Sequence, residues 1–152
     1  SSSFLQSDQE TNEEGKLYIK NQRLRIEYTK PSNIIVVIAK NKAMFYNKDL
    51  EEVEYFNPSK TVAEIFYDIF YNKNFFDEAN FKLKNHLISI DKKVEVKKDI
   101  ILDINIIFET KPLTIRKITV KENGQTTSYF LLNPEFFLDV DDKFFSMANP
   151  LL

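Results

Sequence analysis

Cysteine is absent from this 152-residue chain, histidine occurs once, at His86, and glycine twice, at Gly15 and Gly124. Dinucleotide fingerprints, phosphate loops and serine nucleophile elbows each need several glycines within one turn. Gly15 and Gly124 lie too far apart to write any of them. Without Cys there is no thiolate metal site, no cysteine nucleophile and no disulfide. That absence does not fix the compartment, because an oxidising compartment permits disulfides without requiring them. One His removes multi-His metal sites. Arginine is also scarce: Arg23, Arg25 and Arg116 stand against 18 Lys, and the formal net charge is -2. This is no electrostatic footprint for nucleic acid, since phosphate recognition favours Arg and a basic face. The longest unbroken apolar run, Ile34 to Ala39, is far shorter than the roughly twenty residues of a membrane-spanning helix.

Aromatics, by contrast, are abundant, with 14 Phe and 7 Tyr. A chain of this length is one domain's worth and buries roughly two-thirds of its unfolded surface without staples. It opens on Ser1-Ser2-Ser3 with no signal peptide. The expectation is that a leader or an N-terminal element has been removed.

Gln6 to Gly15 is the most polar stretch and reads as a loop or hairpin tip. From Lys16 the pattern has period two. Leu17 and Ile19 alternate with Tyr18 and Lys20, and then Leu24, Ile26 and Tyr28 alternate with Arg23, Arg25 and Glu27. Such alternation reads as half-buried antiparallel strands. Pro31 closes the second strand. Ile34 to Ala39 is apolar on both faces, so both should be covered. Lys40-Asn41-Lys42 reads as a tight turn with Asn41 left-handed. Ala43 to Tyr46 and Val53 to Phe56 follow, joined by the turn Asn47-Lys48-Asp49.

The one clear helix starts near Thr61, where Thr61 and Glu64 have capping-box spacing. Val62, Ile65, Phe66, Ile69 and Phe70 form one apolar stripe, with Tyr67, Asp68 and Tyr71 off it. A short helix near Asn74 to Asn80 is a weaker signal. Strands resume at Phe81 to Leu83, Ile88 to Ile90, Val94 to Val96 and Ile100 to Phe108. The last points Ile100, Leu102, Ile104, Ile106 and Phe108 one way. Leu113 and Ile115 sit on the opposite parity to Ile118 and Val120, which predicts a bulge. Asn123-Gly124 is the strongest hairpin signal. The pattern predicts a meander of nine or ten antiparallel strands interrupted once by a helix.

His86 has no neighbouring nucleophile or orienting carboxylate and reads as a solvated strand-end residue. Asp139, Asp141 and Asp142 lack the Gly and Glu of a calcium loop and read as a solvated turn. Glu51, Glu52 and Glu54 read as a charged strand edge. The aromatics cluster at Phe66, Tyr67, Phe70 and Tyr71, at Phe75-Phe76, at Phe136-Phe137 and at Phe144-Phe145. They fit a large core or an apolar cavity under a helical cover. Periodicity does not separate the two, because a core stripe and a lid stripe look the same.

An ordered series of short motifs favours the cavity. It comprises Glu14-Gly15-Lys16-Leu17-Tyr18-Ile19-Lys20, then Arg23-Leu24-Arg25-Ile26-Glu27-Tyr28 before Pro31, then Lys42 to Asn47 and Asp49-Leu50-Glu51-Glu52-Val53. The Thr61–Tyr71 helix follows, and Phe145 to Pro150 ends the series. Together these resemble the LolA family of outer-membrane lipoprotein carriers along nearly the whole chain. Two departures stand out. The family's N-terminal amphipathic helix has no counterpart here, so residues 1–152 read as a single LolA-like domain lacking it. The family's Lys-Arg-Pro turn, whose Arg latches the lid, is replaced by Lys20-Asn21-Gln22-Arg23. Arg23 and Arg25 are the candidate substitutes for that latch.

The resemblance implies an incomplete antiparallel β-barrel with a helical lid inserted after the first strands. Leu24, Ile26, Tyr28, Val36, Ile38, Met44 and Tyr46 would line an acyl-chain cavity, and Val62, Ile65, Phe66, Ile69 and Phe70 would form the lid. The implied role is non-enzymatic: a periplasmic carrier of a Gram-negative bacterium, without cofactor or metal. It would shield lipoprotein acyl chains between inner and outer membranes, where bare exposure of three chains costs on the order of 30 kcal/mol. Its partners would be acylated lipoproteins, an inner-membrane lipoprotein-releasing transporter and an outer-membrane receptor, with the carrier itself a monomer. The rival readings are a lipid-binding sensor or interaction module of related fold, a LolB-like membrane-anchored receptor, and a lipid-acting hydrolase that lacks a nucleophile motif.

Overall fold

Alternation becomes strand almost everywhere it occurs. The computed structural model describes residues 1–136 and 139–152. Among the described residues eleven strands are present: β1 Ser2–Ser7, β2 Asn12–Lys20, β3 Arg23–Lys30, β4 Ile34–Ile38, β5 Ala43–Asn47 and β6 Glu52–Phe56 precede the helix α1, Val62–Tyr71. After it come β7 Asn80–Lys84, β8 Leu87–Lys97, β9 Ile100–Glu109, β10 Thr114–Glu122 and β11 Gln125–Leu132. All form one antiparallel, curved and unclosed sheet in the order β6-β5-β4-β3-β2-β1-β11-β10-β9-β8-β7. The incomplete barrel with a helical lid is therefore the observed architecture.

The order explains where α1 must go. β6 and β7 are the two outer edges of the sheet, and the chain between them contains α1. That link carries α1 over the sheet, where it packs against strands from both of its halves. α1 then packs on the main core, with Ile65, Phe66 and Ile69 against Leu24, Ile38, Leu102, Ile104, Ile106 and Ile118. The predicted inward set of β9 lies on this face. The predicted bulge falls between Ile115 and Lys117, and Asn123-Gly124 turns with both residues at positive φ.

Several expectations need correction. The polar stretch is a hairpin, its tip tied by the Asp8 carboxylate accepting from the Glu10 and Thr11 amides at 2.7 Å each. Its first arm is β1, which raises the strand count to eleven. Ile88–Ile90 and Val94–Val96 are one strand, β8, held across its polar middle by a 2.8 Å Lys93–Asp103 ion pair. Asn41 is not left-handed; Asn21 and Gln22 are, at the β2–β3 turn. The weak second helix is a 3₁₀ turn, Lys73–Phe76. Thr61 is the N-cap of α1, but its hydroxyl donates to the Pro58 carbonyl at 2.6 Å, so the capping box does not form. Tyr67 is buried although it lies off the stripe, in the same cluster as Ile65 and Ile69, so the buried arc of α1 is wider than the stripe.

β4 is covered on both faces, as its unbroken apolar run requires. Val36 and Ile38 face α1, while Ile35 and Val37 pack with Met44 and Met147 on the convex side. The C-terminal segment supplies that outer cover. Lys20, Arg23 and Arg25 donate to the carbonyls of Val140, Phe145 and Phe144, and the Tyr55 hydroxyl donates to Met147.

Candidate functional site

A cavity of about 150 Å³ lies beneath the first half of α1. Its walls come from Phe4 of β1, Leu17 of β2, Ile26 and Tyr28 of β3, Val36 and Ile38 of β4, and Tyr129 and Leu131 of β11. Its roof is Val62, Ala63 and Phe66. Register places these side chains together. Leu131, Phe4, Gly15 and Tyr28 are successive cross-strand partners, so they form one row across four strands. The missing side chain of Gly15 lets the Phe4 ring lie over it and meet Tyr28 edge-on, with ring centroids 5.2 Å apart. Phe66 of the roof meets Tyr129 of the wall in the same edge geometry at 4.7 Å.

A second, open groove of about 420 Å³ lies beyond Phe70, at the other end of α1. Phe108, Leu113, Ile115 and Phe136 line it, and it shares Leu17 and Leu131 with the cavity. The two spaces are thus neighbours on one apolar face.

Polar groups in this region are few and their ionisation is suppressed. The Tyr28 hydroxyl donates to Gln6 Oε1 at 2.7 Å. Burial, then Tyr129 and Glu13, push the Tyr28 phenol well above its ordinary range. Burial, with Asp8 behind it, lifts Tyr129 to about 12. On the helix, the Asp68 carboxyl is raised by partial burial and then by Glu64.

Of the residues expected to form the cavity, Ile26, Tyr28, Val36 and Ile38 are on its wall. Leu24 is on the same face but sealed completely in the core under α1. Met44 and Tyr46 are on the wrong face: Met44 pairs with Val37 and Tyr46 with Ile35, and cross-strand partners share a face. Their place on the concave side is taken by Ala43 and Phe45. In the lid, Val62 and Phe66 meet the cavity, Ile65 and Ile69 fill the core, and Phe70 faces the groove. Arg23 and Arg25 do not latch the helix with their side chains. Both reach the convex side to hold the C-terminal segment, with Arg25 also stacked on Phe144 at 4.1 Å. The helix is tied instead by its own Tyr71, whose hydroxyl donates to the Arg23 main-chain carbonyl at 3.0 Å. Sequence reasoning missed Phe4, Leu17, Ala63, Tyr129 and Leu131. For Leu17, the period-two alternation of β2 was the available signal.

The other candidates resolve quietly. His86 is exposed, Asp141 caps the Lys143 amide at 2.9 Å, and Asp142 accepts from Asn21 at 2.7 Å. Among the described residues no cluster of His, Cys, Asp or Glu has the geometry to hold a metal. Phe144 and Phe145 belong to the convex cover, Phe136 to the groove, and Phe137 lies outside the described residues.

An apolar cavity roofed by a helix that links the two edges of an open sheet is a design for enclosing an apolar guest. Comparison with protein families agrees: residues 1–148 match the family described as outer membrane lipoprotein carrier protein LolA. The chain belongs to the LolA family. A comparison with curated proteins finds no match. LolA-family proteins are carriers of lipoproteins, working in the periplasm of Gram-negative bacteria, and not enzymes. No helix among the described residues of this LolA-family chain is long and apolar enough to cross a membrane.

Proposed function

We propose that this chain carries lipoproteins from the inner to the outer membrane by sheltering their acyl chains between α1 and the concave face. The observation that carries the proposal is the apolar cavity between α1 and the concave face. Cargo would come from an inner-membrane lipoprotein-releasing transporter and pass to an outer-membrane acceptor.

The size of the cavity defines how it works. About 150 Å³ is the scale of a void that takes a benzene-sized guest. Three acyl chains need far more room than this cavity and the neighbouring groove together, so loading requires α1 to lift from the concave face. Lifting uncovers Ile65, Phe66 and Ile69 and the strand residues beneath them, each worth about 1.5–3 kcal/mol when buried. Acyl chains replace the helix as the partner of that face. The exchange of one apolar cover for another keeps the net cost small, so cargo is held but can be released.

The test is displacement of an apolar fluorescent probe by an acylated lipopeptide. Native protein should bind both, and Ile26→Glu should weaken both at least tenfold, because it puts an unpaired carboxylate on the wall. Failure of the native protein to bind either ligand would overturn the proposal.

A further inference from the structure

The cavity has a polar lip, and its position follows from register. Two residues along from the apolar row of Leu131, Phe4 and Gly15, the same three strands place Tyr129, Gln6 and Glu13 as cross-strand partners on the same face. Tyr28 and Gln6 already serve each other, the phenol donating to the amide oxygen. Glu13 is held by the Ser32 hydroxyl at 2.7 Å. The Tyr129 hydroxyl has no hydrogen-bond partner among the described residues. No fully buried polar side-chain atom among them is left unpaired, so this hydroxyl opens onto accessible space beside the cavity it lines.

We infer that Tyr129 is a specificity residue whose hydroxyl donates to the ester or amide carbonyl of an acyl group, with Glu13 disfavouring ligands that end in a carboxylate. The inference rests on the acyl-chain reading above and adds a head-group preference to it. An acyl chain in the apolar row places its carbonyl near the lip, where a free phenol can donate. That phenol is in its donating form across the physiological range, and burial lifts its pKa further. Glu13, two strands away in the same row, and Asp8, which follows the Ser7–Ser128 pair, make the lip electronegative. A neutral acyl ester fits these groups, whereas a fatty-acid anion meets like charge. Apolar pockets commonly take their specificity from a few polar groups placed in this way.

The test uses displacement of 1-N-phenylnaphthylamine from the full chain by 1-lauroylglycerol, by its ether analogue 1-O-dodecylglycerol and by laurate at pH 8. Native protein should bind the ester roughly fivefold more tightly than the ether, the worth of one neutral hydrogen bond. Tyr129→Phe keeps the ring against Phe66 and should bring that ratio to one. Glu13→Gln should improve laurate selectively. Equal binding of ester and ether by the native protein, or an unchanged ratio in Tyr129→Phe, overturns the inference and leaves the acyl-chain reading standing. If none of the three ligands displaces the probe, the acyl-chain reading itself falls, and this inference with it.

Discussion

Gly15 shows how much one missing side chain can decide. A Cβ built there would meet the Glu27 carbonyl and come within 2.6 Å of the Phe4 ring. The carbonyl cannot retreat without breaking the β2–β3 ladder, which already shifts register at Glu14 and Gly15. Gly15→Ala should therefore lower stability by about 2–3 kcal/mol, measured by urea unfolding. It should also displace Phe4 and change the cavity's affinity for an apolar probe. Residue-scale reading from sequence succeeded on β3, where Arg23, Arg25 and Glu27 mark the outward face and leave Leu24, Ile26 and Tyr28 inward. It failed on β5 for a physical reason. Met147 and its neighbours cover the convex side there, so Met44 and Tyr46 are as apolar as the inward Ala43 and Phe45, and parity has no polar mark. Tyr129 was hidden in the same way, within the run from Tyr129 to Leu132.

At the scale of the element, α1 is anchored by its buried face and not by side-chain caps at its ends. Its N-cap side chain makes no bond to the helix, and no basic residue stands in its last turn. Asp68 lies near its C-terminus, where a negative charge opposes the helix dipole. Partial burial raises the Asp68 pKa, so the folded state holds that proton more tightly than the unfolded chain. Stability from this group is greatest at low pH and falls as pH rises through the raised pKa. Asp68→Asn should raise the Tm at pH 7, and its advantage over the native chain should vanish near pH 3, where the aspartate is neutral in both states. Tyr71→Phe removes the hydrogen bond to Arg23 at the helix's other attachment. It should destabilise the closed helix by about 1 kcal/mol and speed amide exchange in α1 before the strands. The stripe and the position of this helix were legible from spacing alone. Its capping was not, because Thr61 has a nearer acceptor in Pro58, which no pattern of residue types reveals.

At the scale of the whole molecule, one sheet presents two apolar surfaces with different fates. The concave one is covered by α1, the helix proposed above to exchange places with a guest. The convex one is covered by the C-terminal segment, fixed by Lys20, Arg23, Arg25 and Tyr55. Met147 is the buried anchor of that cover. Met147→Asp should cost about 2–4 kcal/mol of stability in denaturant titration, while probe binding under α1 persists in the folded fraction. An antiparallel sheet with one helix was readable from the alternation. The strand order was not, because pairing of the first strand with the last leaves no local trace in either.

That pairing gives the molecule a particular birth order. β1 sits in the middle of the sheet, hydrogen-bonded on one side to its neighbour β2 and on the other to β11, the last strand to emerge. Until β11 arrives, β1 is a bare edge carrying Phe4 and Leu5, and nothing joins the half-sheet β1–β6 to β7–β10. Contacts between such distant parts of a chain form slowly, and open edges invite pairing with other chains. A nascent chain emerging N-terminus first thus passes through an interval in which one wall of its own future cavity is an exposed, adhesive seam.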